Sequence, residues 1–395
     1  MLSKSAAVIA FVTLVTFFFL YFVLRDLGMA PDLGGYFGLA VTLAIPFVAV
    51  QVLGGTAFGI NAHPLDLIFF GMMLIGFYIL SFSSVPSTHQ DPRTSYIAVM
   101  VAWSVFYLHV AFAPRDSRAF AFVLKATFVL STLIVIYYSR EYLQFSLGSA
   151  TFSRPEGAEP TYQFFALMYL LNIVLMTLYS TPRWIEITFL IGLTVLMLIG
   201  SRTDFAVLLI MYVIYKIGNG LKLKTLLSIV LGSALMTWVY SMIATSQFNR
   251  FALFLEYGGG NNSMLRSLAL NHALDVIAQH PILGDSGNYD PGLYAHQIIS
   301  IWVDFGLLGF VAYLVCLTSF GVHAWRRRAS LNSVGGRSGF VSLAAIFATM
   351  GALLITKSGT YYLVPVVLGL IRWHERIRKN RVANATSRPV VRERI

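Results

Sequence analysis

Apolar residues fall along the chain in blocks of roughly 20, about the length a helix needs to cross a hydrocarbon core. The blocks lie near residues 5–24, 36–54, 65–84, 95–112, 119–138, 161–180, 185–200, 204–219, 225–244, 298–321, 338–356 and 360–371. A helix on a soluble protein shows one apolar stripe and one polar face. These blocks are apolar all round, so their solvent is lipid. The pattern predicts an all-α fold, a polytopic transmembrane helix bundle of about 12 spans. The bundle covers residues 1–371 and includes one large helical periplasmic loop at 245–297, with a basic cytoplasmic tail at 372–395. A second outer segment, 139–160, is shorter.

Composition agrees with the pattern. The chain is 57% hydrophobic and 11% charged, against about 25% charged in soluble domains. The formal charge of +11 does not point to nucleic acid. With the N-terminus inside, the inner loops and tail receive 19 of the 28 Lys and Arg residues and the outer loops 8, with Lys125 inside a span. That bias favours both termini in the cytoplasm of a multi-pass inner-membrane protein. The first apolar stretch, Ser5 to Leu24 behind Lys4, is too long for the core of a signal peptide and reads as an uncleaved first helix. The one cysteine, Cys316, sits in an apolar block, so neither a disulfide framework nor a cysteine metal site is expected. The Arg-rich tail reads as a disordered or surface-bound end drawn to anionic membrane lipid.

In the large outer loop a helical pattern runs from Ser263, as N-cap, to Gln279. His280-Pro281 ends it, since the residue before proline avoids the helical region. Leu270, Ala273 and Ile277 share a face with Arg266, and that stripe is expected to pack on the membrane domain. A guanidinium near a helix N-terminus suits a phosphate; the alternative is an Arg266 that snorkels to the headgroups. The turn-rich Pro281-Ile282-Leu283-Gly284-Asp285-Ser286-Gly287 follows. Tyr294-Ala295-His296-Gln297 then leads straight into the apolar run from Ile298. His296 at that mouth can act as a general base near neutral pH or serve as a hydrogen-bonded structural residue. Gly200-Ser201-Arg202-Thr203-Asp204 makes a very short outer turn, where ionisable groups face a cavity or a partner. A local Arg202–Asp204 pair capping the next helix is the other reading.

Taken in order, Ser201-Arg202, Arg266-Ser267-Leu268-Ala269-Leu270, Pro281-Ile282-Leu283-Gly284, His296-Gln297 and Gly306-Leu307-Leu308-Gly309 resemble the O-antigen polymerase and O-antigen ligase superfamily of bacterial membrane proteins. Many members carry Asn after the histidine, where this chain has Gln297. The resemblance implies a metal-independent glycosyltransferase fed by undecaprenyl-pyrophosphate-linked glycans at the periplasmic face, with no cofactor. Arg202 and Arg266 would then stabilise charge on the departing pyrophosphate, and His296 would take the proton from the attacking hydroxyl. Arg250, Tyr294 and Gln297 are the substrate-binding candidates, and Tyr294, Asp290 or Asp285 could orient His296. Besides lipid-linked glycans and membrane lipid, a polysaccharide chain-length regulator is an implied partner. A metal is not expected, because His272 and His280 are too far apart on one helix for a metal pair and no acidic run offers an oxygen cage.

Within the resemblance a polymerase is favoured by the compact outer loop, with a ligase transferring glycan to lipid A–core as the alternative. A transporter or flippase of lipid-linked sugars is the rival of another class. It would recruit Asp66, His109, Lys125 and Glu186, which lie toward the ends of spans.

Overall fold

The computed structural model describes residues 2–27, 29, 36–56, 63–82, 92–139, 162–218, 261–286, 298–327, 337–355 and 361–386. Among these no strand occurs, and the helices follow the apolar blocks. They are α1 (Leu2–Phe11), continued through a π turn at Val12–Thr16 into α2 (Phe17–Asp26), then α3 (Tyr36–Thr56), α4 (Pro64–Phe82), α5 (Pro92–Ala111), α6 (Arg118–Ser139), α7 (Tyr162–Thr177), α8 (Pro182–Ile199), α9 (Arg202–Gly218), α10 (Asn261–Gln279), α11 (Ser300–Arg326), α12 (Arg337–Ile355) and α13 (Leu363–Thr386). Among the described residues five stretches are long and apolar enough to cross a membrane: Leu2–Arg25, Pro64–Phe82, Arg93–Ala111, Arg118–Ser139 and Ser300–Arg326. Three further apolar helices are shorter, Gly38–Gly54, Gln163–Thr177 and Ser342–Leu354. The expected span at 225–244 lies outside the described residues.

Several helices bury one face and leave an apolar one exposed, whereas Phe165–Thr177 of α7 and Leu363–Glu375 of α13 are buried all round. On α4, Leu65, Phe69, Met72, Gly76 and Ile79 are buried at spacings of three and four, the rhythm that keeps side chains on one helical face. Its opposite face exposes Leu67 at 65% and Leu74 at 69%. Leucine that far uncovered on a regular helix matches a lipid-facing surface. The protein is thereby read as membrane-embedded.

Polar groups inside the bundle meet across helices. Thr16 on the π turn shares a 2.7 Å hydrogen bond with Thr127 of α6. Gln51 donates to the His109 carbonyl and meets that residue's Nδ1 at 2.9 Å. Lys216 pairs with Glu186 at 2.6 Å, and Lys125 lies over the Trp184 ring. His109, Lys125 and Glu186 are thus taken up in helix–helix contacts, as is Asp66, which meets Tyr107 and Arg372.

Contacts at the helix ends sort into two sets. Lys4 Nζ donates to the Asp116 carbonyl, Tyr179 to Pro114, and Trp373 and Arg376 to Ala113. At the other end, Tyr361 reaches Asp204 and the Ile298 N–H donates to Leu353. Residues that the charge count puts on one side meet one another.

Two boundaries differ from the sequence reading. Helix α10 begins at Asn261, so Ser263 lies in its first turn and is not its N-cap. Helix α13 does not stop at 371; it continues to Thr386 with Arg372, Trp373, His374, Glu375 and Ile377 buried. The disordered or surface-bound reading of the tail is therefore corrected as far as Thr386. The cause is pairing: its charged residues find partners on α4 and α11, which composition alone does not reveal.

Candidate functional site

At the Asp204 end, α8 closes on Gly200 at φ 78°, whose N–H donates to Leu196 and Met197. Ser201 follows, and its carbonyl accepts the Phe205 N–H. Asp204 is fully buried. Its carboxylate accepts the Ser201 hydroxyl at 2.5 Å and the Tyr361 hydroxyl at 2.5 Å. A carboxylate in the first turn also sits at the positive end of the helix dipole. Asp204 therefore ties the Ser201-Arg202 turn to the start of α13. Arg202 is the first residue of α9, but its side chain lies outside the described residues.

Helix α10 packs as the stripe predicts, with a small rotation. Among the described side chains of this helix Ala269, Ala273 and Val276 are buried, and Ala273 and Val276 join Val303 of α11 in a cluster flanked by Ile277 and Ile299. Counting back in threes and fours, the same face leads to Arg266, which is helical and whose side chain lies outside the described residues. His280 and Pro281 end the helix as expected.

The segment after it docks into a break in α11. Gly306 has φ 61° and ψ −171°, far from helical. In an unbroken helix the Leu307 N–H would bond to the Val303 carbonyl. Here Leu307 N–H donates to Pro281 O at 2.9 Å, and Val303 O accepts Asp285 N–H at 2.7 Å. Ser286 donates to the Asp304 carbonyl, and the Trp302 indole N–H to Pro281 O. Every backbone group named at the break has thus found a partner in the docked segment, as buried irregular backbone requires. A Cβ on Gly284 would sit 2.5 Å from Gly306 N and 2.6 Å from Val303 O, so two glycines let two backbones touch. Beside the break, an apolar cleft of about 60 Å³ between α4, α5 and α11 is lined by Met72, Met100, Trp103, Phe305 and Tyr313.

No family model matches the chain, and no curated protein matches it.

His296, Arg250, Tyr294, Gln297 and Asp290 lie outside the described residues. Ile298, the next described residue after His296-Gln297, is anchored through its N–H to Leu353 at 2.9 Å. Asp285 is placed, with its carboxylate 3.8 Å from His280 Nε2.

The opposite end holds a denser set of charges that sequence reasoning missed. Arg372 Nε lies 2.9 Å from both Asp66 oxygens, and Tyr107 donates to the same carboxylate at 2.6 Å. Beside this pair, His323 Nε2 is 3.1 Å from Glu375 Oε1. Arg378 holds the other Glu375 oxygen at 2.9 Å. Arg327 Nε stands 3.8 Å from Oε1. The His63 ring meets the His323 ring edge-on at 5.6 Å. Burial pushes the Glu375 carboxyl up, but contact with His323 and Arg378 outweighs it and holds the group at about 2. Burial, with the charges of Arg372 and Lys379, pushes His63 down to about 4 despite Asp66 nearby. At neutral pH the first is ionised and the second neutral. A signal was present in the sequence, since Asp66 and the basic tail were both visible, but nothing in the spacing joins residues three hundred positions apart.

Breaking the Asp66–Arg372 pair is expected to destabilise the protein. Arg372→Met leaves a largely buried carboxylate without its cation, a loss of about 3 kcal/mol. A thermal melt of the detergent-solubilised protein should drop clearly. The double variant Asp66→Asn/Arg372→Met should recover part of the loss, and additive losses would show that the two side chains are not coupled.

Proposed function

We propose that the protein is a membrane glycosyltransferase that polymerises undecaprenyl-pyrophosphate-linked oligosaccharide repeats into O-antigen or a related polysaccharide. The observation that carries this reading is the docking of Pro281–Ser286 onto the Gly306 break. It joins two of the resemblance's motifs, and it does so next to the anchored Ile298 that directly follows His296-Gln297. The Asp204 tie supports the same reading, because it holds the start of the helix that Arg202 begins.

In the proposed reaction the acceptor hydroxyl attacks the anomeric carbon of the donor glycan. The new carbon–oxygen bond forms as the bond to the pyrophosphate lipid breaks, and the electron pair leaves with the pyrophosphate. His296 takes the hydroxyl proton, and Arg202 and Arg266 stabilise the leaving oxygens. Both faces of the work fit a bilayer rim: the glycan needs water, and the carrier needs lipid.

The purified protein with lipid-linked oligosaccharide should lengthen the glycan in detergent without a gradient or added magnesium. Movement of the carrier across vesicles without lengthening would favour the transporter reading. Gene loss separates polymerase from ligase. Single repeats capped onto lipid A–core mark a missing polymerase, whereas long polymer stranded on its carrier marks a missing ligase.

A further inference from the structure

We propose that His63, His323 and Glu375 form a site for a first-row transition-metal ion, zinc in the first instance, at the Lys4 end of the bundle. Among the described residues these three place one ligand atom each within 4.8 Å of one another. They come from the approach to α4, the last turns of α11 and the far half of α13. His63 and Glu375 are buried, and His323 keeps 22% of its side chain exposed, which leaves an open side for a water as fourth ligand.

The geometry of one pair is already that of a metal edge. Two ligand atoms in a tetrahedral zinc shell with bonds of 2.0–2.1 Å stand about 3.3 Å apart. His323 Nε2 and Glu375 Oε1 stand 3.1 Å apart, yet Nε2 makes no aligned hydrogen bond. Two polar atoms that close, but out of line with each other, are arranged to share a third point. The remaining gap closes by turning the His63 ring, at the expense of the long 3.3 Å contact from the Leu65 N–H to its Nδ1.

The ligand chemistry selects the ion. Magnesium and calcium need several oxygens, and this set offers one carboxylate and two imidazoles, a donor set suited to zinc, cobalt or nickel. Arg378 holds the distal Glu375 oxygen and so aims the near one at the gap, as partners of metal-bound carboxylates do. Arg327, 45% exposed, can swing outward. Such a site would clamp α4, α11 and α13 together without touching the glycan chemistry at the Asp204 end.

The test uses full-length protein in detergent, stripped with a chelator and titrated with Co²⁺ as a spectroscopic probe. A saturable visible band, displaced by Zn²⁺ and indifferent to millimolar Mg²⁺, is expected. His63→Gln and Glu375→Gln should each weaken binding by about tenfold or more, and His280→Ala at the far end should leave it unchanged. Absence of a saturable band in the unmutated protein overturns the proposal, whatever the variants do. So does a band that survives in both His63→Gln and Glu375→Gln. Should either variant fail to fold, X-ray absorption of the zinc-loaded unmutated protein decides. Nitrogen and oxygen neighbours with imidazole scattering support the site, and a shell of oxygen alone overturns it.

Discussion

His296→Ala is expected to lower glycan transfer by about a hundred- to ten-thousand-fold, the usual worth of a positioned general base, while the protein still inserts and accumulates. Arg202→Ala and Arg266→Ala should each cost about a hundred- to a thousand-fold, the scale for losing one preorganised donor to developing charge. Arg202→Lys should also be poor, because an ammonium cannot present the paired N–H groups of a guanidinium to a phosphate. The variants are compared by polymer ladders at native expression and by elongation in detergent. His280→Ala, whose ring is half exposed beside Asp285, serves as the control that keeps activity. Near-normal ladders from the His296 variant would remove it as the base.

The second large effect is on stability. Gly306→Ala should lose at least about 3 kcal/mol, from a backbone region nearly closed to other residues and from two backbone groups left without partners. The added Cβ would overlap the Ile282 carbonyl and come within 2.5 Å of Leu283 N. Both contacts are backbone, so no side chain can turn away. The docked segment must lift off, which releases Val303 O and Leu307 N–H together. Gly351→Ala makes the contrast, since a Cβ there meets nothing within 4 Å. That change should be neutral or stabilising by up to about 1 kcal/mol. Thermal melts of both variants in detergent check the pair, and equal melting points would show that the break in α11 is not held as described.

Much of the fold was legible because lipid imposes a simple rule. A block such as Arg118–Ser139, long and apolar enough to cross a membrane, must be helical in lipid to satisfy its own backbone. The stop at His280-Pro281 was equally local. The apolar stripe of α10 was legible to within a small rotation, because periodicity fixes a face only to about one residue in four. Parts of the candidate site were legible as motifs, but not as an arrangement. Pro281-Ile282-Leu283-Gly284 and Gly306-Leu307-Leu308-Gly309 stood out separately, and nothing in either says that one completes the backbone bonding of the other.

The sequence by itself determined that the described residues are helical and where most of their helices start and stop. Those properties follow from solvation and local backbone sterics, which act over a few residues. Tertiary structure alone decided that Tyr361 would share the Asp204 carboxylate, that Arg372 would reach Asp66, and that His63, His323 and Glu375 would meet. Such pairings depend on which helix ends become neighbours. Lipid does not specify that choice, because it solvates every apolar face alike; the packing of side chains against side chains does.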